Sequence, residues 1–174
     1  MAARSWVMLA YRMPREPSSP RIVVWRRLRR LGVAQPVDGL VLLPDEPRTR
    51  EGMEWVAEQV VAAGGQATLW AATHLSAADE RATVLAMNAA VTADYAAVTV
   101  EARALARGVA DGQPHDAPAG KDAAALRHAA ARLTRAVAQI QNRDYFGAPG
   151  RFPAQRAVTA LTVKAKERAK EAAR

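Results

Sequence analysis

The sequence predicts an α+β fold, on three observations. Apolar segments of strand length alternate with two amphipathic helical patterns over residues 5–73. Proline, glycine and aspartate punctuate those segments where turns and helix ends are needed. The remaining residues are alanine-rich and helix-periodic, and the whole chain of 174 residues holds four Trp, three Tyr and two Phe. Alanine buries little area, so that region should form closely packed helices rather than a large β core.

The elements follow in order. Residues 5–12, SWVMLAYR, form an apolar strand bounded by Arg4 and Pro14. PREPSS is a loop, and Arg21 to Leu31 a helix, with Ser19 as N-cap, Pro20 at the first helical position and Gly32 as its stop. In VAQPVDGLVLLP the Asp38-Gly39 pair favours a type I′ turn, making 33–37 and 40–43 a hairpin whose first arm Pro36 confines to an edge. PDEPRT reads as a turn. In REGMEWVAEQVVAAGG, Met53, Val56, Ala57, Val60 and Val61 recur at helical spacing until Gly64-Gly65. Residues 66–73, QATLWAAT, are a last strand with Leu69 buried. The order β-α-β-β-α-β is the ferredoxin-like plan, an antiparallel sheet with two helices on one face, assigned to a domain of residues 1–75.

Residues 76–174 are expected to be a second, helical region. A helix over 76–108 can be capped by Ser76 or Thr83, and VADGQPHDAPAGK, 109–121, reads as a Pro/Gly/Asp linker. Asp122 can cap a helix reaching Asn142, with Leu126, Leu133, Val137 and Ile140 along one side. From Arg151 a last helix begins, with Phe152 and Pro153 in its first turn.

Composition excludes several chemistries. With no cysteine there is no disulfide, thiolate metal site or cysteine nucleophile. His74, His115 and His128 lie far apart without ligand spacing, and Asp111, His115 and Asp116 sit in the linker without a partner motif. There is no P-loop, GxGxxG or Ser/His/Asp grouping. The first strand ends on Arg12, where metal-dependent nucleases of this fold keep an acid. The expectation is a protein that is not an enzyme and takes no metal or cofactor. The apolar run near the N-terminus is too short for a membrane span and lacks a cleavage pattern, which points to a soluble cytoplasmic protein.

The net charge of +8 is concentrated. Residues 1–32 carry eight Arg and one Glu, whereas 33–75 carry two Arg against six acids. In SSPRIVVWRRLRRLG, Val24, Leu28 and Leu31 share one side, with Trp25 at the margin of the core. Arg26 and Arg30 lie one turn apart on the other side, flanked by Arg27 and Arg29. Four like charges without an acid at i±3 or i±4 repel one another by tenths of a kcal/mol per pair, and an ordinary solvated face mixes in glutamate. The pattern favours anion binding over a solvated helix back. The candidate nucleic-acid or anion site is therefore Arg21, Arg26, Arg27, Arg29 and Arg30. Further basic contacts are expected from Arg12, Arg15, Lys164, Lys166 and Lys170.

The series Trp6…Tyr11-Arg12-Met13-Pro14, then SSPRIVVWRRLRRLGV, then GLVLLPD, then Gly64-Gly65 before a final strand, resembles the N-terminal domain of the ChrB family of chromate-resistance regulatory proteins. RDYFGAPGR, Arg143 to Arg151, also looks like a helix junction of that family. The strand-loop-helix opening is similar, more distantly, to the central domain of PaaX-type repressors. The resemblance implies transcriptional control of chromate efflux, with DNA as partner and an oxyanion as signal. Its motif positions here are Tyr11, Pro14, Ser18, Arg21, Trp25, Arg26, Leu43 and Pro44; Arg21 and Arg26 are the functional ones, and the rest read as fold determinants. It also implies a further C-terminal domain in full-length members, beyond Arg174. If that domain senses chromate, this chain binds DNA without sensing, or works with a separately encoded partner.

Two readings follow. The first is a ChrB-like regulator binding DNA through the arginine helix, as a homodimer, since sheet edges and alanine-rich helices offer pairing surfaces. The second is an accessory module that binds no DNA and whose arginine face meets an acidic partner or a small oxyanion such as chromate.

Overall fold

A computed structural model of the chain describes residues 4–110 and 119–172. Among these the elements are β1 (Trp6–Arg12), α1 (Ser18–Leu31), β2 (Ala34–Val37), β3 (Leu40–Pro44), α2 (Pro47–Ala62), β4 (Gln66–Ala72), α3 (Ala77–Ala110), α4 (Ala119–Gln141) and α5 (Arg151–Glu171). The chain divides into two compact units, one ending at Met87 and the other beginning at Asn88, so the division falls inside α3.

The first unit carries an antiparallel sheet in the order β2-β3-β1-β4, which follows the ferredoxin-like plan, with a short and irregular β2. Leu9 pairs with Val41 and Leu69, and Val7 with Leu43 and Ala71, so these side chains share one sheet face. Val7, Leu9, Val41 and Leu43 are buried together with Val24 and Leu28 of α1 and Met53, Val56 and Val60 of α2. Each stripe recurs at the spacing its element requires, and burial of each large side chain contributes about 1.5–3 kcal/mol. On the other face Met8 pairs with Trp70, which is exposed. Trp6 is buried, with the His74 ring edge-on at 5.4 Å.

Several local expectations need correction. Pro17, not Ser19, is the N-cap of α1; Ser18 is already helical and Pro20 is third in the helix. First-turn N–H groups have no intrahelical acceptor, so Pro20 loses no bond there. The turn at Asp38-Gly39 is not type I′, because Gly39 has φ 76° whereas Asp38 does not take a positive φ. Gly39 also lets the turn reach β1: Tyr11 N–H donates to its carbonyl at 2.7 Å, and a Cβ there would stand 2.6 Å from the Tyr11 carbonyl oxygen. Helix α2 starts at Pro47, inside the expected turn, because Thr49 closes its N-terminus. Its Oγ1 accepts from Glu46 N–H at 3.0 Å and its hydroxyl donates to the Pro44 carbonyl. Leu69 is half-buried rather than buried, and Val61 is exposed.

The second unit is a helical core of Val91, Tyr95, Val98 and Ala102 from α3, Leu133, Val137 and Ile140 from α4, and Ala154, Val158 and Leu161 from α5. The buried alanines let helix backbones approach closely, as the composition suggests. By length and composition alone, Ala77–Gly108 is apolar enough to cross a membrane; within this unit one face of that helix is committed to the helical core. The expected linker at 109–121 is shortened, since α3 runs through Ala110 and α4 begins at Ala119 rather than after Asp122. Asp111, His115 and Asp116 lie outside the described residues.

Candidate nucleic-acid interface

Helix α1 buries Val24 and Leu28 and turns the opposite side outward. Arg26, Arg29 and Arg30 are exposed there, and Arg27 is half-buried. Gly32, at φ 71°, ends the helix with its N–H on the Leu28 and Arg29 carbonyls. Arg29 and Arg30 occupy the last turn, where the helix dipole favours cations by about 0.3–1 kcal/mol each. Among the described residues no ion pair involves an arginine of α1.

Two of these arginines are held over tryptophans. The Arg29 guanidinium lies 5.0 Å from the Trp25 ring centre, and that of Arg27 lies 5.7 Å from the Trp55 ring centre. Trp25 is 51% exposed, so it is not the core-margin residue the sequence suggested but a platform for Arg29. Stacking contributes about 0.5–1 kcal/mol at an exposed site. A guanidinium held over a ring keeps N–H donors that phosphate oxygens can still accept from. Trp55 was missed in the sequence because it lies off the Met53–Val56–Val60 stripe; an aromatic off-stripe beside buried neighbours is the signal that could have found it.

Arg21 has a different position. Its Nη1 donates to the Arg15 carbonyl at 3.3 Å and ties the start of α1 to the preceding loop. Arg12 and Arg15 line an open cavity of about 550 Å³ with Met13, Pro14, Gly64, Gly65 and Gln66. Gly65 is required there, since a Cβ would stand 2.5 Å from the Arg12 carbonyl oxygen. Arg50 of α2 is not a free cation; it pairs with Asp45, whose carboxyl it holds below the usual carboxylate range with help from Ser5 Oγ at 2.9 Å.

The lysines lie in the other unit. Lys164 Nζ donates to the Ala106 carbonyl at 2.9 Å, a bond near the end of α3, whereas Lys166 and Lys170 are exposed one turn apart on α5. The structure thus groups Arg26, Arg27, Arg29 and Arg30 on one helix, places Arg12, Arg15 and Arg21 around one loop, and puts the lysines elsewhere in the chain.

The Arg143–Arg151 junction serves packing. Tyr95 is fully buried and its hydroxyl donates to Asp144 Oδ2 at 3.2 Å, while Asp144 Oδ1 accepts from Ala148 N–H at 2.7 Å. Burial, then the Asp144 charge, pushes the Tyr95 pKa up to about 12. Arg143 pairs with Asp94 at 2.6 Å. Gly150 has φ 105°, and a Cβ there would meet that of Tyr95 at 3.1 Å. Among the described residues no group of three or more His, Asp or Glu stands together as a metal site.

The family model described as Protein ChrB, N-terminal, matches residues 21–173. The matched stretch includes the arginine helix, the hairpin, both units' helices and the Arg143–Arg151 junction; Tyr11, Pro14 and Ser18 precede it. No curated protein and no solved structure matches the chain.

Proposed function

The chain belongs to the ChrB N-terminal family, which is associated with chromate resistance, and from that premise we propose that it is a regulatory protein that binds DNA through the outer side of α1. The observation that carries this reading is the set Arg26, Arg29 and Arg30, exposed and without an ion pair among the described residues. Arg26 and Arg30 stand one helical turn apart, near 6 Å by helix geometry, and the spacing of successive phosphates along a strand is of the same order. Arg29, held over the Trp25 ring and exposed, is available to a third phosphate. These are backbone contacts, which position a protein on the duplex; sequence selection requires further contacts to base edges.

The direct test is a titration of the full chain with the promoter DNA upstream of its own gene, in wild type and in the double variant Arg26→Glu with Arg30→Glu. The expected result is an affinity lowered by more than about tenfold, because two phosphate contacts become repulsions, with the circular-dichroism spectrum unchanged. Unaltered affinity in the folded variant would remove α1 from the interface.

A second reading is favoured by the cavity beside Gly64-Gly65, where Arg12 and Arg15 could hold a small divalent oxyanion. Chromate or phosphate binding lost in Arg12→Ala, but retained in the α1 variant, would separate this site from the DNA surface.

A further inference from the structure

The two helices of the first unit carry opposite charges outward. Helix α1 presents Arg26, Arg29 and Arg30, and α2 presents Glu51, Glu54 and Glu58 at i, i+3 and i+7, all six exposed. The helices are immediate neighbours: a Cβ on Gly52 would stand 2.9 Å from a Leu31 methyl carbon. Yet among the described residues none of the six forms an ion pair within the chain. The same two helices expose Ile22, Val23, Trp25, Trp55 and Val61, each between 46% and 57%. Large apolar side chains gathered among charges of both signs are the composition of an interface rather than of a solvated helix back.

We propose that two copies of this chain associate through this face, each α1 lying on the partner's α2. A two-fold axis parallel to the helices produces that arrangement and makes both contacts identical, as a closed isologous dimer requires. Charge selects it, because laying α1 on the partner's α1 would oppose arginine to arginine and glutamate to glutamate. Trp25 and Trp55 then supply the apolar anchors and the ion pairs fix the register. The inference does not rest on the DNA reading, but the two interact. Arg26 and Arg30 cannot neutralise phosphates and a partner's glutamates together, so DNA and the second copy compete for α1.

The test is a charge-swap complementation read by sedimentation equilibrium on the full chain. Wild type is expected to be dimeric. Arg26→Glu with Arg30→Glu, and separately Glu54→Arg with Glu58→Arg, should each weaken the dimer by about tenfold or more, since each leaves both contacts like-charged. Mixing the two variants should restore a one-to-one complex, because an acidic α1 then meets a basic α2 at one contact and a basic α1 meets an acidic α2 at the other. The milder pair Arg26→Gln with Arg30→Gln covers the case in which a reversal fails to fold, and should weaken the dimer in the same direction. A monomeric wild type, folded variants that stay dimeric, or a mixture of folded variants that forms no complex would each overturn the proposal. Glu54→Arg with Glu58→Arg keeps every α1 arginine, so its binding to DNA tests the DNA reading independently of dimerisation.

Discussion

Tyr95 links the composition of the second unit to a measurable pH dependence. Its ring fills a core otherwise built from alanine and small aliphatic side chains, and its hydroxyl is satisfied by Asp144. The folded pKa is raised from 10.0 to about 12, so the folded state keeps its proton where the unfolded chain has lost it. The contribution to stability is complete below pH 10 and declines as pH rises from 10 toward about 12. Urea unfolding across that window should show a loss of stability that Tyr95→Phe lacks. The same slope in both proteins would assign the loss to other groups. At neutral pH, Tyr95→Phe should cost about 1 kcal/mol, because Asp144 loses one of its donors.

At the scale of elements, α1 separates what holds the fold from what is left for a partner. Leu28→Ala should destabilise by about 2–4 kcal/mol through a cavity against the sheet layer, whereas Arg30→Ala should stay within about 0.5 kcal/mol. Denaturant unfolding checks both, and a large cost at Arg30 would make it a structural residue. The buried side of this helix was legible because Val24 and Leu28 recur at the spacing a helix demands, and the order of strands and helices along the chain was legible from the succession of periods. The errors fell on details set by tertiary contacts. The hairpin turn answers to the approach of Gly39 to Tyr11, and the start of α2 to the bonds Thr49 makes with Glu46 and Pro44. Trp25 read as a residue at the core margin because aromatic residues usually bury; its partnership with Arg29 depends on side-chain placement that no local pattern encodes. Trp55 and the acidic stripe of α2 were illegible as a site for the same reason, since their meaning comes from lying beside α1.

For the whole molecule, the net charge of +8 matters less than its distribution. The basic surplus of residues 1–32 gathers on α1 and on the loop around Arg12 and Arg15, and α2 opposes it with glutamates on the adjacent helix. A polyanion should therefore approach α1 while being repelled from α2, which limits the contact to few phosphates and keeps its salt dependence moderate. The measurement that tests this most directly is the affinity for promoter DNA as a function of salt, in wild type and in Arg26→Glu with Arg30→Glu. Three phosphate contacts predict a slope of log K against log salt near −3 in wild type, and a slope shallower by about two in the variant. A wild-type slope close to zero, or equal slopes in the two proteins, would contradict a DNA surface on α1.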